Sequence, residues 1–168
     1  APCHFGLEAV LKREIIDIGY DVTLVEDGRV TFTGDAEAIC RANIFLRSAE
    51  RILLKVGSFM ATTYEELFQG TKALPLDEFI PDGRFWVTKA ASVKSRLFSP
   101  SDIQSVMKKA MVEKLKEVYH TEWFEENGAA FPFRVFLLKD QVTVALDTTG
   151  DSLHKRGYRK LTGKAPIA

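Results

Sequence analysis

Apolar residues return every three or four positions from Phe5 to Ile18, at Leu7, Val10, Leu11, Ile15 and Ile18, with Glu8, Lys12, Arg13 and Glu14 between them. That spacing predicts an amphipathic helix, stopped by Gly19. Two β-rich runs follow, Val22 to Glu26 and Arg29 to Thr33, and the Asp27-Gly28 pair between them is a hairpin signal. Asp35 can cap a second helix over Ala36 to Arg47, in which Ile39, Ile44 and Phe45 are the apolar positions. Arg51 to Phe59 is β-rich and reads as a strand. The first 60 residues thus alternate helix, two strands, helix, strand, the content of a small α+β sandwich with one strand lost before Ala1.

Beyond Met60 the pattern starts again. Thr62 or Thr63 can cap a short helix that runs through Thr71, helped by the glutamates that follow. Pro75 and the Pro81-Asp82-Gly83 turn bracket an irregular stretch, and Arg84 to Val93 reads as a strand. Ser99-Pro100-Ser101-Asp102 is a helix start, with Ser at the cap and Pro at the first helical position. The helix should run to about Val118 and bury Ile103, Val106, Met107, Ala110 and Leu115. Phe133 to Leu138 and Gln141 to Leu146 form a hairpin across Lys139-Asp140. From Asp151 the chain turns polar and reads as a linker. These elements place one domain at 1–60, a second at 61–153 and a basic linker at 154–168.

Composition adds little until charge is mapped along the chain. The 168 residues hold 23 Lys plus Arg and 23 Asp plus Glu. The zero net charge excludes a globally basic nucleic-acid binder. No apolar run is long enough to span a bilayer, and the chain opens without a secretory pattern. Cys3 and Cys40 have no metal-ligand spacing, and Cys40, inside a predicted helix, is expected to be a small buried hydrophobe.

Zero net charge conceals two basic segments. Between 89 and 116 stand Lys89, Lys94, Arg96, Lys108, Lys109, Lys114 and Lys116 against only Asp102 and Glu113. Between 154 and 164 stand Lys155, Arg156, Arg159, Lys160 and Lys164 with no acid. The balancing acids cluster at Glu65-Glu66, Asp77-Glu78 and Glu122-Glu125-Glu126. The segment Lys89 to Arg96 leads into the Ser99 helix, whose N-terminus offers N–H groups and a positive dipole end to a phosphate. Asp102 competes for those N–H groups. Exposed lysines on a solvated helix face explain the same pattern without any ligand. In the closing segment cations interleave with Tyr158, which suits a nucleic-acid backbone and a stacked base, or equally a linker docking on acidic surface.

Catalytic equipment is not visible. The sequence has no GxGxxG, no phosphate-loop motif and no GxSxG, and His4, His120 and His154 are dispersed. Asp147-Thr148-Thr149-Gly150-Asp151 does not have calcium-loop spacing and reads as a turn held by side-chain-to-backbone bonds.

Several blocks resemble a known family. They are Phe5-Gly6-Leu7-Glu8-Ala9-Val10-Leu11, Val30-Thr31-Phe32-Thr33-Gly34-Asp35, Asn43 to Ile52 and, most specifically, Val144 to Asp147 with Ser152-Leu153-His154-Lys155-Arg156-Gly157-Tyr158-Arg159. Together they resemble the N-terminal half of THUMP-containing RNA methyltransferases of the RlmL-like 23S rRNA guanine-N2 type, often labelled N6-adenine-specific DNA methylases. The resemblance implies an α+β architecture, an N-terminal ferredoxin-like domain packed on an α/β THUMP domain that binds structured RNA. It also implies a downstream methyltransferase domain that uses S-adenosylmethionine; the two cysteines, without metal-ligand spacing, give a cytoplasmic, reduced compartment as the default expectation. The glycine-rich cofactor loop and Asn/Asp-Pro-Pro-Tyr motif of that domain are absent here, so no catalytic or cofactor residue carries over. The expected RNA-binding residues are Lys89, Lys94, Ser95, Arg96, Lys108, Lys109, Lys155, Arg156 and Arg159. A protein-interaction module docking a catalytic domain or a ribosome-assembly factor is the alternative; a self-contained enzyme would need a pocket with perturbed titrating groups.

Overall fold

The computed structural model describes residues 1–81, 84–120 and 129–155. Along them run α1 (Glu8–Asp17), β1 (Val22–Glu26), β2 (Arg29–Phe32), α2 (Ala36–Phe45), β3 (Leu53–Met60), α3 (Tyr64–Lys72), α4 (Leu76–Phe79), β4 (Arg84–Val93), α5 (Pro100–Tyr119), β5 (Ala130–Leu138), β6 (Gln141–Asp147) and a 3-10 turn at Leu153–Lys155. The chain divides into two units: Ala1–Leu53 together with the segment from Thr148, and Leu54–Asp147.

In the first unit β1 and β2 form the expected antiparallel hairpin, and Gly28 takes the positive φ (72°) that its turn requires. Pro2 bridges Arg29 and Cys3 bridges Ala49, so the first residues of the chain fill the edge where a strand was expected before Ala1. Glu8, in the first turn of α1, accepts the backbone N–H groups of Gly6 (2.9 Å) and Gly28 (2.7 Å), which ties the helix start to the hairpin turn. Asp35 caps α2 by accepting the Ala38 N–H (3.0 Å). The core joins Leu11, Ile15, Val30, Ala42, Leu46, Ile52 and, from the far end of the chain, Leu153. Each of the buried Leu, Ile and Val side chains contributes about 1.5–3 kcal/mol of burial.

The segment after β6 therefore does not behave as a free linker up to Lys155. Thr148 Oγ1 donates to the Ile52 carbonyl (2.8 Å), and Thr149 Oγ1 accepts the Ile52 N–H (2.7 Å) and donates to Asn43 Oδ1 (2.8 Å). The Arg51 guanidinium donates to Gly150 O and to Ser152 Oγ (2.9 Å). This is the side-chain-braced turn expected at Asp147 to Asp151, anchored to residues about a hundred positions earlier. Residues 148–153, placed by the sequence reading in the second domain, belong to the first unit. Two other expectations change. Cys40 is exposed, and Cys3 is the buried thiol. The strand of residues 53–60 exists but joins the second unit's sheet.

The second unit is a four-stranded sheet in the order β3-β6-β5-β4, with β4 parallel to β5 and β5 antiparallel to β6. Its helices lie on one face: Leu67 of α3, Leu76 of α4 and Ile103, Met107, Met111 and Leu115 of α5 close over Phe85, Val87, Phe133, Val135, Leu137, Val142 and Val144. The alternation along β4 turns Phe85 inward and leaves Trp86 half-buried under the Arg84 guanidinium. The expected caps are present: Thr63 and Glu66 form a reciprocal capping box on α3, and Ser99 caps α5 with Pro100 behind it. The short α4 was not foreseen in the stretch after Pro75. At Gly70 a Cβ would meet the Phe59 ring at 2.3 Å, so α3 lies on β3 with no room for a side chain there. On the opposite face Arg134 Nε pairs with the buried Asp147 carboxylate (2.9 Å).

Candidate nucleic-acid interface

β4 ends at Val93, and the chain must turn within six residues to start α5 at Pro100. Lys94 makes the turn in left-handed backbone (φ 49°). Ser95 Oγ then donates to the Val93 carbonyl (3.1 Å) and accepts the Asp140 N–H (3.0 Å). The Arg96 N–H donates to Asp140 Oδ1 (2.7 Å). Leu97 is buried, and its carbonyl takes the Ser92 hydroxyl. The loop is thus held at three points, and the side chains of Lys94, Arg96 and Phe98 are exposed.

Asp140 is the residue that organises this loop. With Lys139 it forms the two-residue turn between β5 and β6, both at positive φ (51° and 64°) as tight hairpins of this length demand. Lys139 N–H donates to the Val93 carbonyl (3.2 Å), and the Asp140 carbonyl accepts the Ala61 N–H (3.0 Å). The hairpin turn, the end of β3 and the loop after β4 therefore meet at one end of the sheet. The exposed Lys139 joins Lys94 and Arg96 there.

The helix N-termini at this end carry the chain's own acids. The Glu66 carboxylate accepts the Thr62 N–H (2.6 Å), the Thr62 hydroxyl (2.8 Å) and the Thr63 N–H (3.3 Å). These bonds, led by the Thr62 N–H and supplemented by the nearby Arg96 charge, hold its pKa below the usual glutamate value. Asp102 lies in the first turn of α5, its N–H donating to Ser99 Oγ (3.5 Å), and Pro100 has no N–H to offer. Burial, with Asp102 beside it, pushes the Tyr64 phenol up. What this end presents to an anion is side-chain charge on an anchored loop, more than open helix N–H groups.

The predicted residues separate into groups. Lys94, Ser95 and Arg96 share the loop. Lys89 is exposed on β4, register partner of Arg134, on the face away from the helices. Lys108 and Lys109 are exposed on α5, in the helical layer, with Lys109 Nζ 5.9 Å from the centre of the Phe68 ring. The stretch 89–116 is thus not one surface. Lys155 is exposed in the 3-10 turn of the first unit. Arg156 and Arg159, the Asp82-Gly83 turn and the Glu122-Glu125-Glu126 cluster lie outside the described residues. Sequence reading missed Lys139, Asp140 and Phe98. The signal for the first two was the two-residue hairpin gap itself, which sets Lys139 and Asp140 at the tip of the hairpin. Among the described residues no group of acids, histidines or cysteines could hold a metal, and no helix is long and apolar enough to cross a membrane.

Comparison with known proteins identifies the domains that carry these elements. Residues 1–53 match the RlmL ferredoxin-like domain, and residues 61–147 match the THUMP domain. A Bacillus subtilis (strain 168) protein provisionally named RNA methyltransferase YpsC is 48% identical over 99% of the chain. A crystal structure from Listeria monocytogenes, described as a predicted N6-adenine-specific DNA methylase, superposes with a TM-score of 0.92 at 48% identity over 99% of the chain. SMU.472, a provisionally assigned methyltransferase complexed with SAH, superposes with a TM-score of 0.90 at 47% identity over 96% of the chain. In each case this chain spans 44% of the relative's length.

Proposed function

The chain belongs to the THUMP-domain family, preceded by a ferredoxin-like domain of the RlmL type, and from that premise we propose that it is the RNA-holding region of an S-adenosylmethionine-dependent rRNA methyltransferase. Its task is to position folded RNA, in the finest reading 23S rRNA for guanine-N2 methylation, so that a nucleotide reaches a catalytic domain elsewhere in the polypeptide. That assignment makes the setting cytoplasmic. The residues present do not suit S-adenosylmethionine itself, since the sequence has no glycine-rich nucleotide loop. The cofactor and the chemistry belong to the remaining half of a protein built like the relatives.

The observation that best supports this reading is the anchored loop of residues 93–99, with Lys94 and Arg96 exposed and Lys139 beside them. Cations on fixed backbone can meet phosphates at small entropic cost, and phosphate contacts position RNA without reading its sequence. In this reading Lys89, Lys108 and Lys109 are further phosphate contacts of the second unit, and Lys155, Arg156 and Arg159 are those assigned to the closing segment. The test is binding of this chain to folded rRNA fragments and to duplex DNA across a salt series. RNA-preferring affinity that falls steeply with salt is the expected result. Equal affinity for both nucleic acids, or none at low salt, overturns the reading.

A further inference from the structure

We propose that the outer face of α2, built on Cys40, Ile44 and Phe45, is the seat of the methyltransferase half of the polypeptide. The inference rests on the part of the preceding reading that gives the polypeptide such a half, and adds where that half is held. α2 places its apolar bulk the wrong way round for a helix that serves only its own core. The side chains it buries are Ala38 and Ala42, with Leu46 at its C-terminal cap. Ile44 is 62% exposed and Phe45 53%, and Cys40, one turn before Ile44, is exposed too. At about 3.6 residues per turn Ile44 lies almost opposite Ala42, where a surface helix ordinarily carries polar groups. A single exposed apolar side chain needs no explanation. A helix with methyl groups inside and Ile, Phe and Cys outside does.

Contacts on the two flanks define this face. On one flank Arg41 crosses to α1: its Nη2 donates to the Ile18 carbonyl (3.3 Å), and its guanidinium carbon stands 5.7 Å from the centre of the Phe45 ring. On the other flank Asn43 holds the closing segment, its Nδ2 donating to Thr148 Oγ1 (3.3 Å) and its Oδ1 accepting the Thr149 hydroxyl (2.8 Å). Cys40 and Ile44 run between the flanks, and the exposed Arg47 follows one turn on. A nucleic-acid strand is a poor occupant, because its phosphates gain nothing from Ile44 or Phe45 and would meet Glu37, which lies 3.9 Å from Arg41. An apolar protein face with an acid for Arg47 fits, since interface cores favour aromatic residues and arginine. This chain spans 44% of the relatives' length, so a polypeptide built like theirs has a larger part still to seat. The segment after β6, which leads toward that downstream half, is the one Asn43 fastens beside Ile44. A domain tethered there has an effective concentration on the order of millimolar, so a small apolar face is enough to hold it.

Cys40 is a built-in probe of this face. The experiment treats the folded 168-residue chain and the full-length polypeptide with N-ethylmaleimide and follows Cys40 by peptide mass spectrometry, with the buried Cys3 as internal control. The expected result is that Cys40 reacts about tenfold or more slowly in the full-length polypeptide. Ile44→Glu should return the rate to that of the 168-residue chain, and Ile44→Val should keep it slow. Because Ile44 is exposed, Ile44→Glu should leave the circular dichroism, melting and RNA affinity of the 168-residue chain unchanged. Equal rates in the two proteins, or protection that survives Ile44→Glu, overturn the docking face and leave the RNA-holding reading standing. Slowing that appears only with added folded RNA, or in the 168-residue chain as its own concentration rises, overturns it in favour of RNA or of a second copy. A full-length polypeptide without a methyltransferase domain removes both readings together.

Discussion

Three arginines of the first unit, Arg29, Arg41 and Arg51, and the cations at the end of the second unit's sheet are put to opposite uses. In the first unit Arg29 pairs with Glu26 (2.8 Å), Arg41 donates to the Ile18 carbonyl (3.3 Å), and Arg51 clasps the Gly150–Ser152 turn. There the side chains are held and the charge is spent inside the molecule. In the 93–99 loop the backbone is held instead, through Ser95 and Asp140, and the side chains of Lys94 and Arg96 are left exposed. Counting charges along the sequence cannot distinguish these arrangements. The group that is fixed, side chain or main chain, decides whether a cation serves stability or is offered to a ligand.

The contrast is sharpest when one cation is removed from each region. Arg51→Ala should destabilise the chain by about 2–3 kcal/mol, the scale of charge-assisted hydrogen bonds at a closed turn, seen as a lower urea midpoint. It should leave the RNA affinity of the folded chain unchanged. Lys94→Glu with Arg96→Glu should do the reverse. RNA affinity should fall by about tenfold and the salt slope should drop by about 2, while the melting temperature moves by no more than a surface substitution allows, about 0.5 kcal/mol. If the charge reversals unfold the chain, the two regions are not the contrast described here.

Asp140→Ala tests the main-chain half of the comparison. Losing the bond from the Arg96 N–H should cost about 1–2 kcal/mol. RNA affinity should also decline, although an acid has been removed from a basic neighbourhood, because the loop is no longer pre-organised. A gain in affinity would mean that charge alone governs binding. The smallest effect concerns pH. The Glu66 carboxyl is held below its usual value of 4.5 in the folded chain. The stability it lends is therefore fully present above about 4.5 and is lost as pH falls through the lower folded value. Carbon-13 NMR of the Glu66 carboxyl should give a midpoint below 4.5, and Glu66→Gln should flatten this part of the stability profile.

Features fixed by neighbours in sequence were legible before the structure. Asp27-Gly28, a cap at Thr62 or Thr63, Ser99-Pro100 and the Lys139-Asp140 gap all signal turns or caps through groups within a few residues of one another; each formed, with Thr63 and Glu66 making the box on α3. What was not legible depends on distant partners. The β3 segment carries the same alternating pattern whichever sheet it joins, and the helical period around Cys40 does not say which face turns inward. Leu153 sits in a polar stretch, so nothing local marks it as a core residue. The candidate site divides the same way. Lys94 to Arg96 could be placed in a loop by the strand before them and the cap after them, but their anchor, Asp140, is 44 residues away from Arg96.

The return of the closing segment to the first unit has a consequence for how the chain is made. Residues 54–147 form an insertion in a unit whose last described core side chain, Leu153, is synthesised about a hundred positions after Ile52. At translation rates of about 5–20 residues per second, the first unit waits roughly 5–20 seconds on the ribosome, half-closed, while the inserted unit emerges with its complete sheet and helices. The domain encoded first is thus the one finished last, and a chain cut short before Thr148 leaves it without its final clasp.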